Sequence, residues 1–453
     1  MKILIAGCGK IGTAILSSLS AEGHDITAID SAADVITEVT NVYDVMGVVG
    51  SAADCETLRE AGVENADVFI AVTDSDERNM LACCFASRMG AKHTVARIRN
   101  PEYNDDSLHF IARELSLSLA INPEKYAARE LYNMLKLPSA IKVEKFSGQS
   151  FEMIEVRLKE DSLLCGMKLS EMRTKYNRAK FLVCFVERGE DVYIPGGDFV
   201  LQSGDKIGLT ASPTEIQKLL RELGILKKQA RSVMLLGGSR IAYYLAKHLS
   251  ETGSNVKIVE RDEARCQTLS ALLPRAVVIH GDGTNRELLL EEGLRGTDAL
   301  VSLTGMDEQN ILLSIFASSQ NVPKVITKIN RDELEAMAEN LGLESVITPH
   351  STVADMLLSY VRALENSHGS HIETLYRLAD DRAEALEFIA SPDAPCIGTP
   401  LRELRIKQGI LIGGIVRGRT PIIPAGSDCI QPGDRVIVIA ARHRLQDLSD
   451  ILL

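Results

Sequence analysis

The sequence contains no tryptophan, and Phe, Trp and Tyr together make up only 4% of it. A chain this poor in aromatic rings lacks the stacking platforms that hold single-stranded nucleic acid. It is also short of positive charge. Fifty Lys and Arg face 62 Asp and Glu, a formal net charge of −12, and no basic run stands out. An acidic chain repels a phosphate backbone unless it carries a local basic patch, so nucleic-acid partners are not expected. No apolar run approaches the length of about 18 residues that a membrane-spanning helix needs. The apolar start of the chain stops after Ala6, too short for the hydrophobic core of a signal peptide. The nine Cys include no Cys-x-x-Cys pair, which excludes zinc-ribbon and thioredoxin-like spacing. Such dispersed thiols read as reduced, buried cysteines of a cytosolic protein. Of the nine His only His368 and His371 lie close together, and no His-Glu-x-x-His occurs, so no metal centre is expected.

What is present is ordinary globular composition, 45% hydrophobic and 25% charged, over 453 residues. At roughly 100–200 residues per domain, that length predicts two to four domains. An internal duplication organises them. Gly7-Cys8-Gly9-Lys10-Ile11-Gly12 reappears as Gly237-Gly238-Ser239-Arg240-Ile241-Ala242, and Asp30 as Glu260. Gly50, Asp67, Thr73, Asp76, Glu77 and Asn79 reappear as Gly281, Asp298, Thr304, Asp307, Glu308 and Asn310. Further on, Gly197 and Gly204-Asp205 reappear as Gly426 and Gly433-Asp434. The order is therefore A–B–A′–B′, joined near residues 224–231.

Each A segment alternates short apolar strands with helical stretches, the pattern of a parallel sheet covered on both faces. In the first, strands are expected at Lys2–Ala6, Ile26–Asp30, Val45–Val49, Asp67–Val72 and Thr94–Ile98. Pro123 and Pro349 each sit at a first helical position, so a helix should run from each. The B segments are β-rich, with expected strands Phe151–Leu158, Phe181–Glu187 and Lys206–Ala211 and a closing helix Thr214–Leu223. The fold class predicted is α/β: two Rossmann-like doubly wound parallel-sheet domains, each followed by a small α+β domain. The limits predicted are 1–122, a connecting helix 123–142, then 143–226, 231–348, a second connecting helix 349–370, and 371–453.

The most informative motif is Gly7-x-Gly9-x-x-Gly12. It follows a strand, opens a helix, and has Asp30 at the end of the next strand, which is the context of the dinucleotide fingerprint. Gly7 permits the tight turn, Gly9 lets backbone approach a pyrophosphate, and Gly12 lets helix and sheet pack closely. The helix start then offers free N–H groups to phosphate. Asp30 would accept from the adenosine ribose hydroxyls and repel a 2′-phosphate, favouring NAD over NADP. Gly50-Ser51 and Thr73-Asp74, after the third and fourth strands, are further candidates. Arg97, at the end of the fifth, is either a phosphate ligand or a surface or interface charge. Asp76, Glu77 and their copies read as acids suited to a helix N-terminus rather than as catalysts. Cys8 reads as a spacer in the turn. Neither B segment carries an obvious catalytic set, which weakens the case for a dehydrogenase.

The A–B–A′–B′ order, the glycine motif with Asp30, the segment Val95-Ala96-Arg97-Ile98-Arg99-Asn100-Pro101-Glu102-Tyr103 and the paired Gly-Asp turns resemble the RCK (KTN) regulatory proteins of potassium channels and transporters. The resemblance covers essentially the whole chain. It implies a cytosolic gating-ring subunit, not an enzyme, lying peripherally beneath the membrane-spanning subunit of a Trk-type potassium transporter. It implies rings, commonly tetramers, whose shape responds to NAD(H), ATP or ADP. On motif match, Gly7, Cys8, Gly9, Lys10, Ile11, Asp30, Thr73, Asp74 and Arg97 would form site one. Gly237, Gly238, Ser239, Arg240, Ile241, Glu260, Asp282 and Thr304 would form site two. The second copy departs from the pattern at Ser239 and at Lys328, which stands where the first has Arg97. Weaker NAD(H) binding there, with a preference for ADP or ATP, is the expectation. The stretch Asn79–Met89, with Met80, Leu81, Cys83, Cys84 and Phe85, is either a subunit contact or a helix buried within its own module. The alternatives are an NAD-dependent oxidoreductase and a nucleotide-sensing transcription regulator. The second would need a basic helix-turn-helix, and none is evident.

Overall fold

The computed structural model describes residues 1–103, 105–146, 150–365, 371–379 and 382–453. His368 lies outside the described residues. The first module has strands β1 (Lys2–Ala6), β2 (Asp25–Asp30), β3 (Met46–Val49), β4 (Val68–Ala71), β5 (His93–Arg97) and β6 (Leu119–Ile121). They form one parallel sheet in the order β3-β2-β1-β4-β5-β6. Helices α1 (Lys10–Ser20), α2 (Ala33–Val42), α3 (Cys55–Glu60), α4 (Asp76–Met89) and α5 (Asp105–Glu114) connect them, and α6 (Pro123–Lys136) follows. Ile3, Leu4, Ile5 and Ala6 are all fully buried, as a central strand covered on both faces requires. Strand order reverses between β1 and β4, so the carboxyl ends of these strands open the crevice where such sheets bind ligands. The predicted strand limits shift by a residue or so. The sixth strand was not anticipated, because three residues, Leu-Ala-Ile, are too few to show a period.

The segment that follows is an antiparallel sheet. It comprises β7 (Lys142–Phe146), β8 (Phe151–Arg157), β9 (Leu182–Arg188), β10 (Asp191–Tyr193) and β11 (Lys206–Ala211), in the order β10-β9-β11-β8-β7, with α7 (Leu169–Lys175) and α8 (Pro213–Glu222). The parallel pattern then repeats as β12 (Ser232–Leu236), α9 (Arg240–Glu251), β13 (Asn255–Glu260), α10 (Glu263–Leu272), β14 (Val277–His280) and α11 (Arg286–Glu291). It continues with β15 (Ala299–Ser302), α12 (Asp307–Ser319), β16 (Lys324–Lys328), α13 (Glu333–Asn340), β17 (Val346–Ile347) and α14 (Pro349–Glu365). The sheet order is β14-β13-β12-β15-β16-β17, the same as in the first module. A second antiparallel sheet ends the chain: β18 (His371–Leu378), β19 (Ala383–Ile389), β20 (Ile410–Arg417), β21 (Thr420–Ile422) and β22 (Arg435–Ala441), ordered β18-β19-β22-β20-β21.

The paired Gly-Asp turns serve one structural device. Gly204 and Gly433 take positive φ, and the Asp after each is buried. Asp205 receives two bonds of 2.8 Å from Arg188, and Asp434 receives bonds of 2.9 and 2.8 Å from Arg417. A buried carboxylate thus meets a guanidinium fork in both copies. The copies differ at their ends. Helix α8 buries Ile216, Leu219 and Leu220, whereas the last segment closes with a short 3₁₀ turn at Leu448–Ile451.

The chain divides into two compact units that do not follow the repeat. One holds residues 1–129, 329–332 and 347–361, and the other holds 130–328, 333–346 and 362–453. Within the second unit the antiparallel sheets share a core, with Phe146, Phe151, Cys184 and Phe185 against Leu378, Ala385, Ile437 and Ile439. Close approach there demands glycine: a Cβ on Gly414 would lie 2.5 Å from the Phe151 ring. Thr210 also donates to the Gly413 carbonyl at 2.7 Å. The cysteines are all unpaired, as expected, but not all buried: Cys55 is exposed and Cys84, Cys165 and Cys429 are half-buried.

Candidate nucleotide clefts

The first glycine turn is built for close contact on its inner side and open space on its outer side. Gly7 has φ +96°, and a Cβ there would lie 2.7 Å from the Thr73 nitrogen. A Cβ on Gly12 would sit 1.8 Å from the Gly7 carbonyl oxygen, so helix and turn touch backbone to backbone. A Cβ on Gly9 would meet nothing within 4 Å. Gly9 is the N-cap of α1 and offers no side-chain cap. The N–H groups of Lys10, Ile11 and Gly12 therefore have no partner among the described residues, the arrangement that suits an anion. Asp30 braces the turn: one carboxylate oxygen accepts from the Cys8 N–H at 2.7 Å and the other from the Ala32 N–H at 3.0 Å. The Cys8 carbonyl accepts from the Thr13 hydroxyl at 3.0 Å. Burial, and then the nearby Asp30 charge, push the Cys8 thiol up to about 12. The thiol is therefore a packing group, consistent with the spacer role expected for it.

Behind the turn lies a polar clamp. Asn79 of α4 is fully buried. Its Oδ1 accepts from the Thr73 N–H (2.8 Å) and hydroxyl (2.6 Å), and its Nδ2 donates to the Arg97 carbonyl (2.9 Å). It thereby joins the ends of β4 and β5. Asp76 accepts from the N–H groups of Arg99 and Asn100 at 2.8 and 2.7 Å. The reading of Asp76 as a simple helix-terminal acid is thus incomplete, since it is buried and fixes the loop after β5. Arg97 is buried rather than a surface charge. Its Nη2 donates to the Thr73 carbonyl at 2.5 Å, while its Nε has no partner. Burial, with Arg99 beside it, holds its pKa below the ordinary arginine value. A buried cation with an idle N–H next to the turn has the chemistry to meet a phosphate.

The second turn repeats the brace and the clamp. Gly237 has φ +97°. Glu260 accepts from the Gly238 N–H at 2.5 Å and the Asp262 N–H at 2.9 Å, reproducing Asp30 with a longer arm. Asn310 joins Thr304 to the Lys328 carbonyl in the same way, and in both copies the asparagine Nδ2 also donates to the threonine carbonyl, at 3.3 Å in the first and 3.2 Å in the second. The outer side differs. The Ser239 hydroxyl accepts from the Ala242 N–H at 3.3 Å, capping α9 internally. Gly238 faces α10 so closely that a Cβ would lie 2.6 Å from Leu269. Arg265 of α10 donates from Nε to the Gly238 carbonyl at 2.6 Å.

The remaining candidates sit at strand ends but are engaged locally. The Gly50 N–H donates to the Asp30 carbonyl, and the Ser51 hydroxyl accepts from the Ala53 N–H. Asp74 is exposed and paired with Arg78 at 3.1 Å. Asp282 accepts from the N–H and hydroxyl of Thr284, and these bonds hold its pKa below the usual carboxylate range. Lys10 and Arg240 are exposed at the first helical position, Ile11 is half-buried and Ile241 buried. Sequence reasoning registered Asn79 and Asn310 only as repeated positions, without a role, and missed Arg265. The shared Thr-x5-Asn spacing was the available signal for the first two. Among the described residues no group of three or more His, Cys, Asp and Glu is placed to hold a metal, and no helix is long and apolar enough to cross a membrane.

Comparison with known proteins agrees with this fold. The TrkA-N domain model matches residues 3–123 and 233–349, and the TrkA-C domain model matches 153–224 and 385–453. The chain is 31% identical to a Trk system potassium uptake protein TrkA homolog of Archaeoglobus fulgidus, over 100% of both chains. It is also 31% identical to the Trk system potassium uptake protein TrkA of Halomonas elongata, covering 99% of this chain and 98% of that one. Among solved structures it resembles the GsuK channel bound to NAD, with a TM-score of 0.63 and 18% identity over 97% of this chain and 77% of that one.

Proposed function

Because the chain belongs to the TrkA family, built of TrkA-N and TrkA-C domains in tandem, we propose that it is the nucleotide-binding regulatory subunit of a Trk-type potassium transporter. The observation that carries this reading is the first cleft. An open Gly9, an uncapped α1 and the idle Nε of Arg97 surround one turn braced by Asp30. NAD(H) fits that set. Its pyrophosphate would lie on the N–H groups of residues 9–12 with Arg97 behind, and its adenosine ribose hydroxyls would donate to Asp30. ADP and ATP share the adenosine and phosphate groups and are the second candidates. The further proposed contacts are Cys8, Lys10, Ile11, Gly50, Ser51, Thr73 and Asp74, and in the second module Gly237, Gly238, Ser239, Arg240, Ile241, Glu260, Asp282 and Thr304.

The ligand is read rather than consumed. Regulation requires only that it bind two shapes of an assembly with different affinity, and a coupling of about 1–3 kcal/mol is enough. The assembly is a homo-oligomeric ring, a tetramer by family resemblance. It lies on the cytoplasmic face of the membrane against the membrane-spanning potassium subunit, and neither nucleic acid nor metal takes part. Leu81 on α4 and Leu312 at the matching place on α12 are exposed and suit such contacts. Calorimetric titration of the full chain with NADH, followed by ion flux through the co-purified membrane subunit with and without nucleotide, tests the proposal. Nucleotide-dependent flux supports it. Sustained NADH oxidation on a panel of carbonyl substrates would favour the oxidoreductase instead, and light scattering that finds only a 49.4 kDa species would remove the ring.

A further inference from the structure

The two turns carry the same brace and clamp, yet the second caps its helix start from within and bridges its turn to the next helix, where the first does neither. Three observations converge. The carbonyl after the first glycine is satisfied from α1 in the first module, by Thr13. In the second module the residue matching Thr13 is Tyr243, and the carbonyl of Gly238 is instead taken by Arg265 from α10. The residue matching Arg265 in the first module is Val35, which has nothing to donate. Next, Ser239 supplies the hydroxyl that occupies the Ala242 N–H, where Gly9 leaves the helix start bare. Finally, the second turn presses on α10, with a hypothetical Cβ on Gly238 2.6 Å from Leu269 and 3.0 Å from Glu260 Oε2. The first turn accommodates the whole Cys8 side chain at that position.

We infer that Arg265, with Ser239, latches the second module shut against dinucleotides. Arg265 is the specificity-determining residue that makes one module a sensor and the other a scaffold. Its guanidinium lies across the turn on the side where the adenosine ribose meets the acidic brace, so a nucleotide must break the bond to the Gly238 carbonyl to enter. Selectivity of this kind comes from an element built against the unwanted ligand as well as from contacts to the wanted one.

The inference rests on the reading that the first module takes NAD(H), and its test reads the two separately. Full-length protein is titrated calorimetrically with NADH as wild type, R265V, S239G/R265V and D30A. Val and Gly are the residues that the first module itself carries at these places, so the changes suit the fold. The latch predicts about one NADH per wild-type chain and a second equivalent in S239G/R265V within about tenfold of the first in affinity. R265V alone should show a weaker second equivalent. A wild type that already binds two equivalents alike overturns the latch, as does a double variant with no gain, or an R265V variant in which binding falls. Loss of binding in D30A reports on the first module alone. Were D30A to bind as wild type does, the proposed sensor site would fail, while a gain in S239G/R265V would still stand for the latch.

Discussion

The two parallel-sheet modules have the same strand order, the same positive-φ glycine at the turn and the same buried asparagine, yet their outer surfaces at the turn are opposites. In the first, glycine and a short threonine leave N–H groups and space. In the second, serine takes the Ala242 N–H and arginine takes the Gly238 carbonyl. Duplication preserved the parts that hold a strand end to a helix start, because losing them exposes buried polar groups. It released the parts that hold no buried partner, the ones proposed to meet a ligand. A residue that looks like part of a nucleotide motif can thus be either scaffold or ligand contact, and the copy in which it survives without its neighbours tells which.

The sharpest break of that comparison is at the third position of the motif. Gly12 has no room for a Cβ, which would overlap the Gly7 carbonyl at 1.8 Å, whereas the second module carries Ala242 there. Gly12→Ala should cost about 3 kcal/mol or more, the upper range for overpacking against backbone. It should also abolish NADH binding at the first site. Ala242→Gly should cost only about 0.5–1 kcal/mol, the usual entropy of glycine in a helix. Hydrogen exchange of the β1 and β12 amides reads the two modules separately, and equal effects would mean that the turns are not differently packed.

Next in size are the clamps. Asn79→Ala leaves the Thr73 N–H and the Arg97 carbonyl buried without their partner, and Asn310→Ala does the same to Thr304 and Lys328. Each should cost about 2–3 kcal/mol, the price of unsatisfied buried groups. Thermal unfolding should show similar losses for the two variants, but only Asn79→Ala should lower NADH affinity. If Asn310→Ala lowered it equally, the second module would be part of the sensor.

These variants also mark what was legible beforehand. The α/β repeats could be read because apolar strands alternate with helices and because the copies keep their spacing. The glycine turn could be read because its residues are adjacent in sequence. The clamp could not, since the role of Asn79 depends on two strand ends brought together only by the fold. Arg265 was invisible for the same reason, being separated in the chain from the turn it crosses. Arg97 stood between two readings until burial decided that it is not a surface charge. The grouping of residues 329–332 and 347–361 with the first module is likewise a long-range fact with no local signal.

A smaller effect separates the acidic braces. Asp30→Ala removes the acceptor of the Cys8 and Ala32 N–H groups and the proposed ribose contact. It should weaken NADH binding by about 1.5–3 kcal/mol, the value of hydrogen bonds to a charged group, and reduce discrimination against NADPH. Glu260→Ala should leave NADH affinity within twofold, because the second turn is closed by its own side chains. Calorimetry on both variants decides it, and an unchanged Asp30→Ala affinity would remove the ribose assignment.

The last difference is electrostatic and is read as a slope. Strand β5 begins at a half-buried His93, and the matching strand β16 begins at Lys324, which is buried and donates to the Ala140 carbonyl and the Ser345 hydroxyl at 2.7 Å each. Burial, then the charge of Lys227, lowers the Lys324 pKa to about 7, against a small opposing pull from Glu344. Between that value and its unfolded one the unfolded chain holds a proton that the folded chain does not, so stability rises with pH from about 7 towards 10.5. Glu155 acts in the opposite sense. Burial raises it to about 7, chiefly opposed by Lys142 and Lys206 and reinforced by Glu144 and Glu187. The folded chain then holds the extra proton, and stability falls as pH rises from 4.5 to about 7. Together the two groups place a dip near neutral pH, each limb limited to about 1.4 kcal/mol per pH unit. Lys324→Met should flatten the rising limb alone and Glu155→Gln the falling limb alone, when each variant's Tm is followed against pH relative to wild type. A Lys324→Met variant whose difference from wild type stays constant between pH 7 and 10 would show that this lysine keeps its proton when buried, held by the carbonyl and the hydroxyl it touches.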